Sequence, residues 1–123
     1  MTISTVALVE DDSDIRNLTA AMLEDSGYNV ITFEDGASAL RKLSAEEKTV
    51  CALLTDFKMP CLDGVSLIRE LHERQIKIPI IVLISGDIDG SHRLESLSNE
   101  IAIKVLRKPY SKEALLSLLH RVK

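Results

Sequence analysis

The chain has 123 residues, of which 46% are hydrophobic and 28% are charged, and its formal net charge is −4. This length and composition are typical of one globular domain with a single core. Aromatic residues make up only 3% and Trp is absent, which argues against recognition of single-stranded nucleic acid by base stacking. The negative charge leaves no evident basic face for a phosphate backbone, so we expect no direct binding of nucleic acid.

Other features disfavour secreted, metal-stapled and membrane classes. The two cysteines, Cys51 and Cys61, are too few for a disulfide or metal-binding framework. No basic and apolar leader begins the sequence. No apolar stretch approaches the roughly 20 residues that a membrane span needs. We therefore expect a cytoplasmic protein that does not enter a membrane.

Five short apolar runs alternate with five amphipathic stretches. In chain order, the predicted elements are a strand at 5–9, a helix that begins at Asp12 or Ser13 and ends before Gly27, a strand at 29–33, a short helix from Gly36, a strand at 50–55, a helix at 65–75, a strand at 80–84, a weak helix at 91–99, a strand at 103–106 and a helix from Ser111. The run at 50–55 lacks polar alternation, as expected of a strand that is covered on both faces. The last helix places Leu115, Leu118, Leu119 and Val122 along one side.

This alternation of strands and helices predicts the fold class. Parallel strands need crossover connections, and a helix in each crossover covers a face of the sheet. We therefore predict an α/β protein with a five-stranded parallel sheet and helices on both faces. No linker, repeat or low-complexity segment interrupts the pattern, so residues 1–123 are predicted to form one domain.

Polar and charged residues follow four of the predicted strands. They are Glu10-Asp11-Asp12 after the first strand, Asp56 after the third, Ser85-Gly86 after the fourth and Lys108-Pro109 after the fifth. The carboxyl ends of parallel strands meet at one edge of the sheet, where ligands bind in open α/β folds. Carboxylates gathered there would form an oxygen-only site for a hard cation such as Mg²⁺.

Taken in order, these residues resemble a known family. The acidic run, the segment 56–60 (Asp-Phe-Lys-Met-Pro) with Asp63-Gly64 after it, Ser85-Gly86 and Lys108-Pro109 resemble the receiver domain of two-component response regulators, the CheY-like family. The resemblance covers the full chain. It implies a flavodoxin-like (βα)5 sheet with strand order 2-1-3-4-5. It also implies a signalling module that catalyses only its own phosphorylation and dephosphorylation.

The resemblance assigns the nucleophile and the metal ligands. Asp56 would take a phosphoryl group from a histidine kinase, and carboxylates are competent nucleophiles for this chemistry. Mg²⁺ would be held by Asp11, by Asp56 and by the backbone carbonyl of Lys58, while Glu10 would act through water. In the family the acidic pair is the first two residues of its run, so Asp12 is interpreted as the cap of the following helix.

The resemblance also assigns the remaining site residues and the partners. Lys108 would contact the phosphoryl oxygens as a point charge, and Ser85 would donate its hydroxyl to them. The partners would be a sensor histidine kinase or a phosphotransfer protein, and an output domain or downstream protein. A homodimer through the face of the fourth helix, fifth strand and fifth helix is common in the family.

Two positions depart from the family pattern. The aromatic residue that the family carries three places before the lysine is Val105 here, so the coupling in which a ring turns inward cannot operate with a ring. Counted from Pro79, the family's hydroxyl residue would fall at Ile84, with Ser85 one place later. We expect a β-bulge that restores Ser85 to the site, because a slip of one residue would instead turn Ile84 toward it. Lys58 and Asp87 are expected at the mouth of the site.

Three other functions are considered. A haloacid-dehalogenase-type phosphatase needs a second acid two residues after the nucleophile, where this chain has Lys58. The chain also lacks the cap insertion that would close over a substrate. A nucleotide-binding module is disfavoured, because no glycine-rich phosphate-binding motif follows the first strand. A phosphorylation-independent pseudo-receiver is opposed by the intact Asp11, Asp56 and Lys108, while Val105 and the irregular spacing of the fourth strand keep that alternative open.

Overall fold

The computed structural model describes residues 4–45, 50–86 and 92–119. Strands and helices alternate along these ranges, as predicted. The strands are β1 (Thr5–Val9), β2 (Asn29–Phe33), β3 (Ala52–Asp56), β4 (Ile80–Ser85) and β5 (Lys104–Arg107). The helices are α1 (Ser13–Asp25), α2 (Gly36–Ala45), α3 (Gly64–Glu73), α4 (His92–Ser98) and α5 (Lys112–Leu118).

The five strands form one parallel sheet in the order β2-β1-β3-β4-β5. This confirms the α/β fold class and the predicted order 2-1-3-4-5. The chain passes from β1 to β2 on one side and then returns to β3 on the other side of β1. The strand order therefore reverses beside β1, and the carboxyl ends of β1 and β3 border the crevice that such a reversal creates.

The sheet separates two apolar layers, since successive side chains of a strand point to opposite faces. One layer contains buried side chains of α1 and α5, including Leu23 and Leu115, together with Leu119, which directly follows α5. The other layer contains buried side chains of α2, α3 and α4, including Leu43 and Leu97. Every residue of β3 and β4 is buried, which explains why these runs are continuously apolar rather than alternating.

Capping side chains mark the starts of three helices. The Asp12 carboxylate accepts hydrogen bonds from the backbone N–H groups of Asp14 and Ile15 at the start of α1. Asp63 and Ser111 cap α3 and α5 in the same manner. The interpretation of Asp12 as a cap is thus confirmed. Val122, predicted for the apolar side of the last helix, lies outside the described residues.

The β-bulge predicted for the fourth strand is wrong. The pairing of β4 with β3 runs without interruption from Ala52–Ile80 to Asp56–Ile84, and the pairing with β5 continues to Ser85–Arg107. Pro79 lies outside the strand, so counting from it does not locate the hydroxyl residue.

Within the described ranges, no helix combines the length and the apolar character that crossing a bilayer requires.

Candidate active site

The candidate site lies at the carboxyl edge of the sheet. Glu10 directly follows β1, and Asp56 and Ser85 are the last residues of β3 and β4. All three are buried, with exposed fractions of 2%, 7% and 4%, whereas Asp11 is exposed. Ionised carboxylates are costly to bury without compensating partners. The buried carboxylates of Glu10 and Asp56 therefore need neighbouring groups that balance their negative charge.

Lys108 provides that balance. Its Nζ lies 3.1 Å from Glu10 Oε1 and 3.2 Å from Asp56 Oδ1. The backbone N–H of Lys108 donates to the Ser85 carbonyl over 2.9 Å, which holds the segment after β5 against the end of β4. The other carboxylate oxygen of Glu10 accepts from the Asp12 backbone N–H at 3.2 Å. Both oxygens of Glu10 therefore have a partner.

The ionisable groups of the site shift one another's pKa values. Burial raises the pKa of the Asp56 carboxyl, Lys108 opposes this rise, and the charge of Asp11 adds to it. Burial likewise raises the pKa of Glu10, and the charge of Asp56 adds to the effect. Burial lowers the pKa of the Lys108 ammonium, but Glu10 and Asp56 outweigh it, and the pKa of Lys108 lies above its ordinary value. Two buried acids thus share one cation, and negative charge is in excess.

The acidic residues fit a divalent cation. Glu10, Asp11 and Asp56 each offer a carboxylate oxygen, and these oxygens lie within 4.8 Å of one another. Mg²⁺ takes oxygen ligands, usually one or two carboxylates, and retains several waters. The exposed position of Asp11 leaves space for such waters. The donor set therefore fits the Mg²⁺ that the sequence predicts.

Comparison with known proteins identifies the family. The sequence profile of the response regulator receiver domain matches residues 6–120. The chain belongs to this family. Receiver domains are the phosphoacceptor modules of two-component signalling, and neither a phosphatase nor a pseudo-receiver is favoured for this chain.

Relatives of different length carry the same receiver domain. The receiver protein CpdR of Brucella abortus is 34% identical over 117 residues, which cover 95% of this chain and 94% of CpdR. The transcriptional regulator NtrC of Escherichia coli is 32% identical over 117 residues, which cover 94% of this chain and 24% of NtrC. The chain thus spans about a quarter of the length of the NtrC proteins that it matches.

A solved receiver structure gives a direct comparison for the metal site. The receiver domain of the sensor histidine kinase PA1611 from Pseudomonas aeruginosa matches with a TM-score of 0.80 and 27% identity, over 98% of this chain and 97% of that one. That crystal structure contains a magnesium ion coordinated in its active-site cleft.

A small cleft opens at the receiver site. It has a volume of about 250 Å³ and is lined by Asp56, Lys58, Ser85, Gly86 and Lys108. The hydroxyl residue Ser85 therefore lies beside Asp56, whereas Ile84 is packed into the apolar layer of α1 and α5. The roles of the Lys58 carbonyl and of Ser85 stay predictions. Asp87, expected opposite Lys58, lies outside the described residues.

Val105 stands where the family usually has an aromatic residue. Val105 lies on β5 beside Leu83 of β4, and 39% of its surface is exposed. A valine in this position has neither a ring to turn inward nor a hydroxyl to bury. Any signal that passes from the cleft to this surface must therefore use another group or the backbone.

Sequence patterns missed three polar residues next to the receiver site. Arg16 and Thr19 lie on the side of α1 that faces the sheet, and Tyr110 follows Lys108 by two places. The available signal was a polar residue at positions of α1 that helical spacing directs inward. Such a signal is weak, because the partner of an inward polar side chain is set by tertiary packing.

Proposed function

We propose that Asp56 accepts a phosphoryl group from a sensor histidine kinase or a phosphotransfer protein. The observation that carries this proposal is the convergence of a buried carboxylate, two further acids and one ammonium at the end of β3. Carboxylates act as nucleophiles in phosphoryl transfer. Such transfer depends mainly on positioning and on stabilising the charge of the phosphoryl oxygens.

The side chains around Asp56 have complementary roles in the transfer. A carboxylate oxygen of Asp56 forms a bond to phosphorus as the bond from phosphorus to the donor's nitrogen breaks. Lys108 then contacts the phosphoryl oxygens, and the compact charge of a lysine suits this role. Ser85, which lines the same cleft, donates its hydroxyl to the phosphoryl group. The chain would catalyse only its own phosphorylation and dephosphorylation.

Asp11, Asp56 and the Lys58 carbonyl would hold Mg²⁺, and Glu10 would contact it through water. The ion would supply positive charge that stabilises the phosphoryl oxygens. Two observations support direct contact by Asp11 and contact through water by Glu10. Asp11 is exposed, whereas one oxygen of Glu10 pairs with Lys108 and the other accepts a hydrogen bond from the Asp12 N–H.

The output of the switch belongs to the same proposal. An output domain or downstream protein would read the phosphorylated state, and a homodimer would use the face of α4, β5 and α5. The exposed Val105 and Arg107 of β5 support an available surface on that face. The cytoplasmic location expected from the sequence stays a prediction.

Intact-mass spectrometry tests the proposed function. The protein incubated with acetyl phosphate and Mg²⁺ is expected to gain one phosphoryl group, and Asp56→Asn is expected to gain none. Asp12→Asn is the matched control, since it removes a nearby carboxylate but retains a good helix cap, and it is expected to be labelled like the wild type. Labelling of Asp56→Asn at the wild-type level would show that the nucleophile lies elsewhere.

A further inference from the structure

Helix α1 contacts both segments that carry the central ion pair of the site. Arg16 Nη1 donates to the backbone carbonyl of Glu10 over 2.8 Å. One helical turn later, the Thr19 hydroxyl lies 2.7 Å from the Tyr110 hydroxyl. Arg16 and Thr19 are three residues apart and so lie on one side of the helix. The same side of α1 is therefore joined to the residue after β1 and to the segment after β5.

The Thr19–Tyr110 hydrogen bond lies in a largely apolar interface. Thr19 is 1% exposed, and its neighbours in the layer between α1 and the sheet include Ala20, Met22 and Leu23. An apolar pair would fill such a place equally well. A hydrogen bond between two hydroxyls adds a fixed distance and direction, which apolar contact does not supply.

The strand order explains why such a connection matters. In the order β2-β1-β3-β4-β5, two strands lie between β1 and β5. Hence β1 is not paired with β5, and the sheet connects Glu10 to the segment that carries Lys108 only indirectly, through β3 and β4. A lysine side chain has a flexible four-carbon stem, so the position of its ammonium depends on how well its backbone is held.

We propose that Arg16, Thr19 and Tyr110, here named the α1 brace, are positioning residues of the phosphoryl-transfer site. The α1 brace holds Glu10 and the backbone of Lys108 at a fixed separation, which keeps the ammonium directed at Asp56. This inference rests on the proposed function of Asp56. The three residues would act by positioning Lys108 and would not themselves contact the phosphoryl group.

The test removes one hydroxyl at a time without changing the shape of the side chain. The variants are Thr19→Val, Tyr110→Phe and the double variant, and Thr19→Ser restores the hydroxyl. Two quantities are measured: the ¹⁵Nζ order parameter of the Lys108 ammonium, without metal or phosphodonor, and the rate constant of phosphorylation by acetyl phosphate with Mg²⁺. Ser117→Ala is the control, since it removes an exposed hydroxyl that donates to the Ala114 carbonyl within α5.

Each single variant is expected to lower the order parameter and to slow phosphorylation about tenfold, the lower end of losses seen when an outer hydrogen-bond partner is removed. The double variant is expected to show no larger loss, because either change breaks the same bond. Thr19→Ser and Ser117→Ala are expected to match the wild type. Arg16→Met, which retains much of the aliphatic stem, is expected to lower both quantities as well.

Two results would overturn the proposal. One is an unchanged Lys108 order parameter in all variants that break the bond, with only the free energy of unfolding reduced, which is what a structural role produces. The other is a wild-type rate of phosphorylation despite a lowered order parameter. If the wild type itself is not phosphorylated, the proposed function fails. The order parameter then still tests whether the α1 brace holds Lys108.

Discussion

Lys108 Nζ lies 3.1 Å from the carboxylate of Glu10, a residue of which only 2% is exposed. The same ammonium lies 3.2 Å from Asp56 Oδ1. One partly exposed cation therefore serves two buried acids, with a third acid, Asp11, close by. Two opposite predictions for stability follow: loss of the cation is destabilising, and loss of one acid is stabilising.

Lys108→Met is expected to destabilise the protein and to slow phosphorylation. Removing one member of a buried ion pair leaves an unbalanced charge and costs up to about 3–5 kcal/mol; a smaller loss, roughly 1–3 kcal/mol, is expected here because the Lys108 side chain is 25% exposed. Phosphorylation by acetyl phosphate is expected to fall roughly 100-fold, the order seen when one group that stabilises transition-state charge is lost. Urea unfolding followed by circular dichroism measures the stability.

Lys112→Met is the matched control for Lys108→Met. Lys112 pairs with Asp25 at 2.8 Å, but the Asp25 side chain is 75% exposed. Exposed ion pairs contribute little, so a change within about 1 kcal/mol is expected. Equal losses of stability in the two variants would contradict the central place given to the Lys108 ion pairs.

Asp56→Asn is expected to stabilise the protein at neutral pH. The pKa of Asp56 is raised by burial and by the charge of Asp11, against the effect of Lys108, so the folded state disfavours its ionised form. A neutral side chain of the same shape removes that cost, and a gain of about 0.5–2 kcal/mol is typical of single stabilising changes. Urea unfolding of the metal-free protein measures the difference.

The pH dependence of this difference has a definite sign. Because the pKa of Asp56 is higher in the folded than in the unfolded state, the cost of the carboxylate is fully present above the folded value. It decreases as the pH falls through the folded value, and it vanishes below the ordinary value of 3.8. The advantage of Asp56→Asn should therefore be largest near neutral pH and shrink on acidification. An advantage that grows in acid would refute this account.

The sequence predicted the sheet well because the signals for it are local. The apolar run from Val6 to Val9 and the β-branched run from Asn29 to Phe33 end where β1 and β2 end. The third strand extends one residue further than predicted, to Asp56. An acid can end this buried strand because the ammonium of Lys108 balances its charge. Lys108 lies far from Asp56 in the sequence, so a local pattern does not reveal it. The position of Ser85 beside Asp56 depends in turn on strand register, which Pro79 does not set.

Asp11→Ala is expected to weaken Mg²⁺ binding more than Glu10→Ala. Asp11 is exposed and would contact the ion directly, whereas the Glu10 oxygens are engaged by Lys108 and by the Asp12 N–H. A loss of at least about tenfold in affinity is expected for Asp11→Ala and a smaller one for Glu10→Ala. Isothermal titration calorimetry measures both. Asp14→Ala, in the exposed first turn of α1, serves as the control. Equal losses for the first two variants would overturn the division of roles.

Ser85→Ala is expected to be phosphorylated at nearly the normal rate but to show a weaker structural response to phosphorylation. The variant retains Asp56 and Lys108, so the rate of phosphorylation is expected to fall less than about tenfold, since one neutral hydrogen bond is lost. The chemical-shift changes that phosphorylation causes in β4 and β5, at Leu83 and Val105 for example, are expected to shrink. Ser85→Thr keeps the hydroxyl and is expected to behave like the wild type. Identical shift changes in Ser85→Ala would remove Ser85 from the switch.

Gly64→Ala is expected to disturb both stability and the site. Gly64 begins α3 against the end of β3, where its N–H donates to the Phe57 carbonyl at 2.9 Å. A methyl group there would overlap the carbonyl oxygen of Asp56 and would lie 2.8 Å from Leu83 Cδ1. Because a backbone oxygen cannot easily move aside, a loss of about 1–3 kcal/mol is expected, together with slower phosphorylation as the peptide of Asp56 shifts.

Gly86→Ala provides the comparison for Gly64→Ala. Gly86 lines the same cleft, but among the described residues an added methyl group there would meet only Lys108 Cβ, at an ordinary contact distance of 4.0 Å. Alanine also reduces the conformational freedom of the unfolded chain, so stability is expected to stay unchanged or to rise by up to about 1 kcal/mol. Urea unfolding and the rate of phosphorylation distinguish the two variants. If Gly64→Ala were as stable and as rapidly phosphorylated as Gly86→Ala, the close approach of α3 to Asp56 would not constrain the site.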